Sequence, residues 1–188
     1  AGGMRAVKYG VTNNYVMGLE VVLANGDIIR TGGKALKNVT GYNTTQLFVG
    51  SEGTLGVVTK VLLRLIPMPK VRNTLQLMFT ELNDACDTIH DMLQSGVVPA
   101  AAELMDKISF QAVARHRKLE LDPAIAACVV VEIDGPDAAS LDDQANKIKE
   151  IAGRHAVKEV RIAGSFQESD DIWAIRRGLS SAIGAMAP

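Results

Sequence analysis

The stretch best suited to chemistry is Gly50-Ser51-Glu52-Gly53-Thr54-Leu55-Gly56-Val57-Val58-Thr59. Three glycines at every third position, just before an apolar strand, let the main chain approach a ligand closely and take conformations closed to other residues. Successive outward N–H groups in such a turn suit anionic or polar groups. The spacing is not the G-x-G-x-x-G dinucleotide fingerprint, and a strand follows rather than a helix. No Lys-Ser/Thr pair completes a phosphate loop either. A tight β-turn without a ligand accounts for the same glycines equally well. Ala1-Gly2-Gly3-Met4 is a second glycine pair that says nothing taken alone. Gly32-Gly33-Lys34, with Lys37-Asn38 and Gly41-Tyr42, reads from its spacing as a solvated loop.

The other candidate is Trp173-Ala174-Ile175-Arg176-Arg177. Arg176 is three positions after Trp173, so on a helix they share a face. A guanidinium beside an aromatic on an apolar stripe can hold a carboxylate bidentately. Ser180 falls one turn further along that face. On spacing alone the stronger reading is a surface arginine lying over a core tryptophan. His90, His116 and His155 show no HxH, HxxxH or HxxE spacing, which argues against a complete metal site. No Gly-x-Ser-x-Gly elbow exists, so a serine nucleophile is unsupported. Asp142-Asp143 and Asp170-Asp171 read as solvated acids near helix starts.

These candidates need elements to carry them. The chain has 188 residues, 47% hydrophobic and 22% charged, with a formal net charge of -1. That excludes collagen-like, disordered and disulfide-framework classes. It also speaks against a nucleic-acid surface or a polybasic membrane anchor. No apolar run is long enough to span a membrane, and no signal peptide is evident. Cys86 and Cys128 lack a CxxC partner and read as small core hydrophobes in a reducing, cytoplasmic setting.

A change of character falls at Ile66-Pro67-Met68-Pro69, since two closely spaced prolines fit neither a central strand nor a helix interior. The domain boundary is placed there, giving residues 1–68 and 69–188. The first part reads as β-rich. Leu19 to Leu23 and Ile28 to Arg30 form a hairpin around Asn25-Gly26, the type I′ pair. A short helical turn is expected near Thr44 to Leu47, and a long strand over Val57 to Ile66. The second part alternates. Strands are predicted over 74–79, 100–105, 128–133 and 157–162. Helices are predicted over 82–93 (Leu82, Ala85, Cys86, Ile89 and Leu93 inward), 107–116 (Ile108, Ala112 and Val113 inward), 141–152 (ended by Gly153) and 168–181. The order β-α-β, helix, β-α-β is that of a split βαβ plait, an antiparallel sheet with helices packed on one face. The fold class is thus α+β.

Taken together, Ala1 to Arg5, Tyr9-Gly10, the Leu19 to Leu23 strand with Asn25-Gly26, Gly41-Tyr42-Asn43 and Leu47 to Thr59 stand in an order that resembles the FAD-linked oxidases of the vanillyl-alcohol oxidase/p-cresol methylhydroxylase (PCMH) type. Within them the chain is similar to the D-2-hydroxy acid dehydrogenase branch. That branch holds glycolate oxidase catalytic subunits, D-lactate dehydrogenases and D-2-hydroxyglutarate dehydrogenases. The second half resembles its cap domain, through Ala102 to Asp106 and Ile172 to Arg176. The resemblance implies the C-terminal part of a PCMH-type FAD-binding domain followed by a ferredoxin-like αβ-plait cap. It implies FAD contacts from Ala1, Gly2, Gly3, Met4, Glu52, Gly53, Thr54, Leu55, Gly56, Val57 and Val58. It also implies a substrate carboxylate on Arg176, with a weaker hydroxyl contact from Ser180.

The resemblance further places the family's first FAD subdomain before Ala1, and its catalytic and divalent-metal-binding histidines after Pro188. The chain alone is therefore expected to bind FAD weakly or not at all and to turn nothing over. The expected partners are a small 2-hydroxy acid, companion electron-transfer subunits and a second copy in a homodimer, with no nucleic acid. An alkyl-glycerone-phosphate synthase-like enzyme and a non-catalytic plait module for assembly are the alternative readings.

Overall fold

The computed structural model describes residues 3–117 and 120–186. The chain divides into two compact units. One comprises the residues up to Ala6 and Gly10–Met68, the other Val7–Tyr9 and the residues from Pro69 onward.

The first unit is a three-stranded antiparallel sheet in the order β2-β1-β3, from β1 (Val16–Val22), β2 (Ile28–Gly32) and β3 (Val57–Leu63). It carries the short helices α1 (Ala6–Tyr9, whose last residues belong to the second unit) and α2 (Thr44–Phe48). Asn43 caps α2 by accepting a hydrogen bond from the Gln46 N–H. Val16, Leu19, Val21 and Phe48 form a small core. The β1–β2 hairpin departs from the type I′ expectation. Gly26 stands at φ 89°, but Asn25 is not among the positive-φ residues. Instead the Gly26 N–H donates to Leu23 O, and the Asn25 side chain accepts from the Asp27 N–H. That is a three-residue loop closed by one left-handed glycine, the next commonest way to join antiparallel strands. Glu20, on central strand β1, faces Arg30 of β2 and Lys60 of β3 in register and bonds both.

The second unit is a four-stranded antiparallel sheet in the order β5-β6-β4-β7. Its strands are β4 (Val71–Phe79), β5 (Ala101–Asp106), β6 (Ala127–Gly135) and β7 (Val157–Ile162). The helices are α3 (Leu82–Gln94), α4 (Lys107–Arg117), α5 (Ala138–Arg154), α6 (Phe166–Arg177) and α7 (Leu179–Met186). Asp137 caps α5 and Ser165 caps α6, each accepting from the N–H three residues on. The plait order and antiparallel pairing are those read from the sequence. The one-sided helix layer is not. Crossover helices α3 and α5 cover one face, through Ala85, Met92, Leu141, Ile148 and Ile151 against Leu75, Leu77, Phe79, Val129, Val131 and Ile133. Helices α4 and α6 cover the other, through Phe110, Ile172 and Trp173 against Ala101, Met105, Cys128 and Val130. Strand β6 is buried along nearly its whole length, which explains its continuous apolar run. Each large apolar side chain withdrawn this completely contributes about 1.5–3 kcal/mol.

Four inward assignments change. Ile108 is exposed, and Phe110, Ala112, Val113 and Ala114 face the core of α4. On α3 the buried line is Ala85, Thr88 and Met92, while Leu82, Leu93 and Cys86 lie outside. Helix α5 runs through Gly153, and the left-handed residue after it is Ala156 at φ 50°. The helix expected over 168–181 is interrupted at Gly178. Among the described residues no helix is long and apolar enough to cross a membrane.

Candidate functional site

In the first unit, residues Gly50 to Val58 leave helix α2 and enter strand β3 through a glycine-rich turn. The Ser51 N–H turns back to Phe48 O and the Thr54 N–H to Ser51 O. Among the described residues the Glu52 and Gly53 N–H groups find no internal acceptor. Glu52 stands at φ 51° and Gly53 at φ 81°. A left-handed glutamate costs roughly 1–2 kcal/mol, and such outliers persist where the surroundings or a function demand them. A Cβ added at Gly50 or Gly53 would meet nothing within 4 Å, so the open space at the turn lies just where glycine leaves it.

This turn lines a hollow of about 400 Å³. Gly50, Glu52, Gly53 and Gly56 form its peptide rim, and Leu19, Phe48 and Val61 supply apolar wall. An apolar floor beside bare peptide donors fits part of a flavin cofactor, a flat ring system with polar edges and an anionic linker. Val57 and Val58 line the same hollow and are exposed. Leu55 is also exposed, and the Thr54 hydroxyl bonds Ser51 O. Gly3 and Met4 do not line the hollow, and the predicted contacts at Ala1 and Gly2 lie outside the described residues. The loop around Gly32-Gly33 and Gly41-Tyr42, read as solvated, lines a separate polar hollow of about 290 Å³.

In the second unit, strand parity sets the candidate substrate side. On the face covered by α4 and α6, β4 places Thr74 and Gln76, β6 places Glu132 and Asp134, and β5 places Glu103. Thr74, Gln76, Glu132 and Asp134 are buried. Each is held: the Thr74 hydroxyl meets Ser169 at 2.6 Å, and the Gln76 amide donates to Cys128 Sγ at 3.6 Å. Asp134 accepts from Lys8 and Tyr9, and Glu132 also has a partner. Burial pushes the Cys128 thiol up to about 12, so it is a packing group and not a nucleophile.

Arg176 lies in the last turn of α6 and donates through Nε to Glu103 Oε2 at 2.7 Å. Its side chain is 30% exposed and that of Glu103 18%. Among the described residues its Nη groups make no hydrogen bond. Trp173 is buried one turn earlier, as expected, and its Nε1 has no hydrogen-bond partner. Ser180 is exposed on α7. The bonds from Gly178 N–H to Ala174 O and from Ala182 N–H to Gly178 O carry the helical path across the break between them. Glu103 was not singled out from the sequence. The available signal was a charged residue flanked at two-residue spacing by the buried Ala101 and Met105. Among the described residues no group of three His, Cys, Asp or Glu side chains could hold a metal ion.

Residues 68–187 match the family model described as FAD linked oxidases, C-terminal domain. Across 188 residues, all of this chain and 40% of the relative, the sequence is 39% identical to the glycolate oxidase subunit GlcD of Bacillus subtilis (strain 168). It is 33% identical to the D-lactate dehydrogenase of Anaerostipes hadrus, over 98% of this chain and 40% of the relative. The chain therefore spans about two fifths of the length of these relatives. A solved structure of alkyldihydroxyacetonephosphate synthase shares the fold. Its TM-score is 0.70 at 20% identity, over 97% of this chain and 34% of that one.

Proposed function

The chain belongs to the FAD-linked oxidases, and from that premise we propose that the full-length protein oxidises a D-2-hydroxy acid of the glycolate, D-lactate or D-2-hydroxyglutarate type. Bound FAD supplies the acceptor for the hydride from the substrate's Cα. The residues of this chain bind and orient. Residues 1–68 serve as the later part of the flavin domain. The peptide rim from Glu52 to Val58 takes the cofactor's polar edges, together with Ala1 to Met4. Residues 69–188 serve as the cap, in which Arg176 takes the substrate carboxylate, contributing proximity rather than bond-breaking. Ser180 adds a weaker hydroxyl contact. The proton-accepting base and any divalent metal belong to the remainder of the full-length protein.

The observation that carries this reading is Arg176: a guanidinium anchored at Nε, half-buried, with its outer donors unclaimed. The relatives named for glycolate and D-lactate give the carboxylate its chemical class. The reading extends to a cytoplasmic setting, a homodimer, and companion electron-transfer subunits, since one relative is named as a subunit. The likeness to the synthase is one of fold and brings no activity with it.

The test is steady-state oxidation of glycolate, D-lactate and D-2-hydroxyglutarate by the full-length protein with a dye acceptor. Arg176→Ala removes a desolvated charge-assisted contact worth about 2–5 kcal/mol, so kcat/KM should fall roughly 30- to 5000-fold. KM should rise sharply and kcat should drop. An unchanged kcat/KM removes Arg176 from the site.

A further inference from the structure

We infer that Glu103 is a positioning residue for Arg176: its carboxylate fixes the guanidinium by Nε and leaves the Nη edge to receive the carboxylate of a 2-hydroxy acid. This rests on the reading of Arg176 given above.

Glu103 is itself firmly placed. It sits on β5 opposite the fully buried Val130 of β6, between Ala101 and Met105, each about 1% exposed. The carboxylate therefore rises from a packed sheet, not from a mobile loop. Arg176 comes from the last turn of α6, at the end of a long and flexible stem. Ordering such a stem opposes binding, and a ligand that finds it already ordered binds tighter. A bond through Nε is the anchor that does this at least expense to recognition. It fixes the plane of the guanidinium and keeps two parallel N–H groups for a carboxylate fork.

A purely structural role fits less well. A half-buried ion pair adds little net stability, and apolar replacements often do as well. Glu103 also offsets the charge of Arg176, so its removal sets two effects against each other. Lost orientation weakens anion binding, and lost negative charge strengthens it. Their balance is what the experiment reads.

The probe is oxalate, whose adjoining carboxylates imitate the C1–C2 end of a 2-hydroxy acid. It is titrated by calorimetry into the full-length FAD-loaded protein, with D-lactate kinetics alongside. Glu103→Ala should weaken oxalate about tenfold and raise KM by a similar factor, with kcat changed less. Glu103→Asp keeps the charge but falls short of Nε, so it loses the orientation without the charge relief and should bind oxalate at least as weakly as the alanine variant. It carries the test if alanine does not fold. Glu103→Gln keeps an acceptor at the same reach and should return to within about threefold of the wild type. In an Arg176→Ala background, Glu103→Ala should add nothing further.

Wild-type or tighter oxalate binding by the alanine and aspartate variants, while Arg176→Ala loses it, overturns the role of Glu103 alone. A lowered melting temperature with unchanged oxalate affinity does the same, because it makes Glu103 structural. If Arg176→Ala binds oxalate normally, the reading of Arg176 fails and Glu103 falls with it.

Discussion

Replacing Gly53 by alanine separates a turn that merely folds from a turn that receives a ligand. Gly53 stands at φ 81°, and an added Cβ meets no atom within 4 Å. The methyl group therefore costs nothing in packing. The remaining cost is conformational, roughly 1–2 kcal/mol for a left-handed alanine. It is offset by up to about 1 kcal/mol because alanine stiffens the unfolded chain. The net loss is about 2 kcal/mol or less, a melting shift of up to roughly 8 °C for a chain of this size. The effect on cofactor is of another order. If a flavin rests against this peptide, the methyl occupies its contact surface, and overpacking of about 1–3 kcal/mol becomes a roughly five- to hundredfold loss in FAD affinity.

Gly26→Ala is the matched control. Gly26 stands at φ 89° with equally open space around it, but in a hairpin loop away from the hollow. The assay is flavin absorbance per mole of purified full-length protein, with FAD titration of the stripped form and a thermal melt of each variant. Both variants should melt alike, and only Gly53→Ala should lose FAD. Equal retention of FAD by the two would refute the claim that this turn faces the cofactor.

The remaining predictions concern charge and thiols. Lys60 and then Arg30 hold the Glu20 carboxyl down to about 2, from an ordinary value of 4.5. A depressed acid contributes its stability above its unfolded value and loses it as pH falls toward the folded one. The wild-type chain should therefore melt progressively lower between pH 4.5 and 2, and Glu20→Gln should show a shallower fall there. An identical pH dependence in the two proteins would contradict the cross-strand assignment. Cys86 is exposed and Cys128 buried, so one thiol should react promptly with an aromatic disulfide reagent and the second only on unfolding. Two fast thiols in the native chain would show that α6 does not cover that face of the sheet.

Much of the fold could be read along the chain because local signals were strong. The β6 run, the proline pair after β3 and the spacing of α5 each specify an element through its own residues. The glycine turn before β3 and the Trp173–Arg176 pair were legible for the same reason, since both lie within one short stretch. Helix facing was less legible where polar and apolar residues competed. On α3 the buried line passes through Thr88 and Met92 and not Leu82 and Leu93, because neighbouring strands and α5 decide which side is inward.

What sequence alone determined, then, was the inventory: a β-rich part, a plait, a peptide rim suited to a ligand and one arginine worth testing. Tertiary structure decided how the pieces meet. It put α4 and α6 on the second face of the plait, closed the first hairpin on one left-handed residue, and set Glu103 of β5 against Arg176 of α6. That last contact joins residues 73 positions apart. No local periodicity encodes it, because it exists only once the strands have paired and a helix has settled across them.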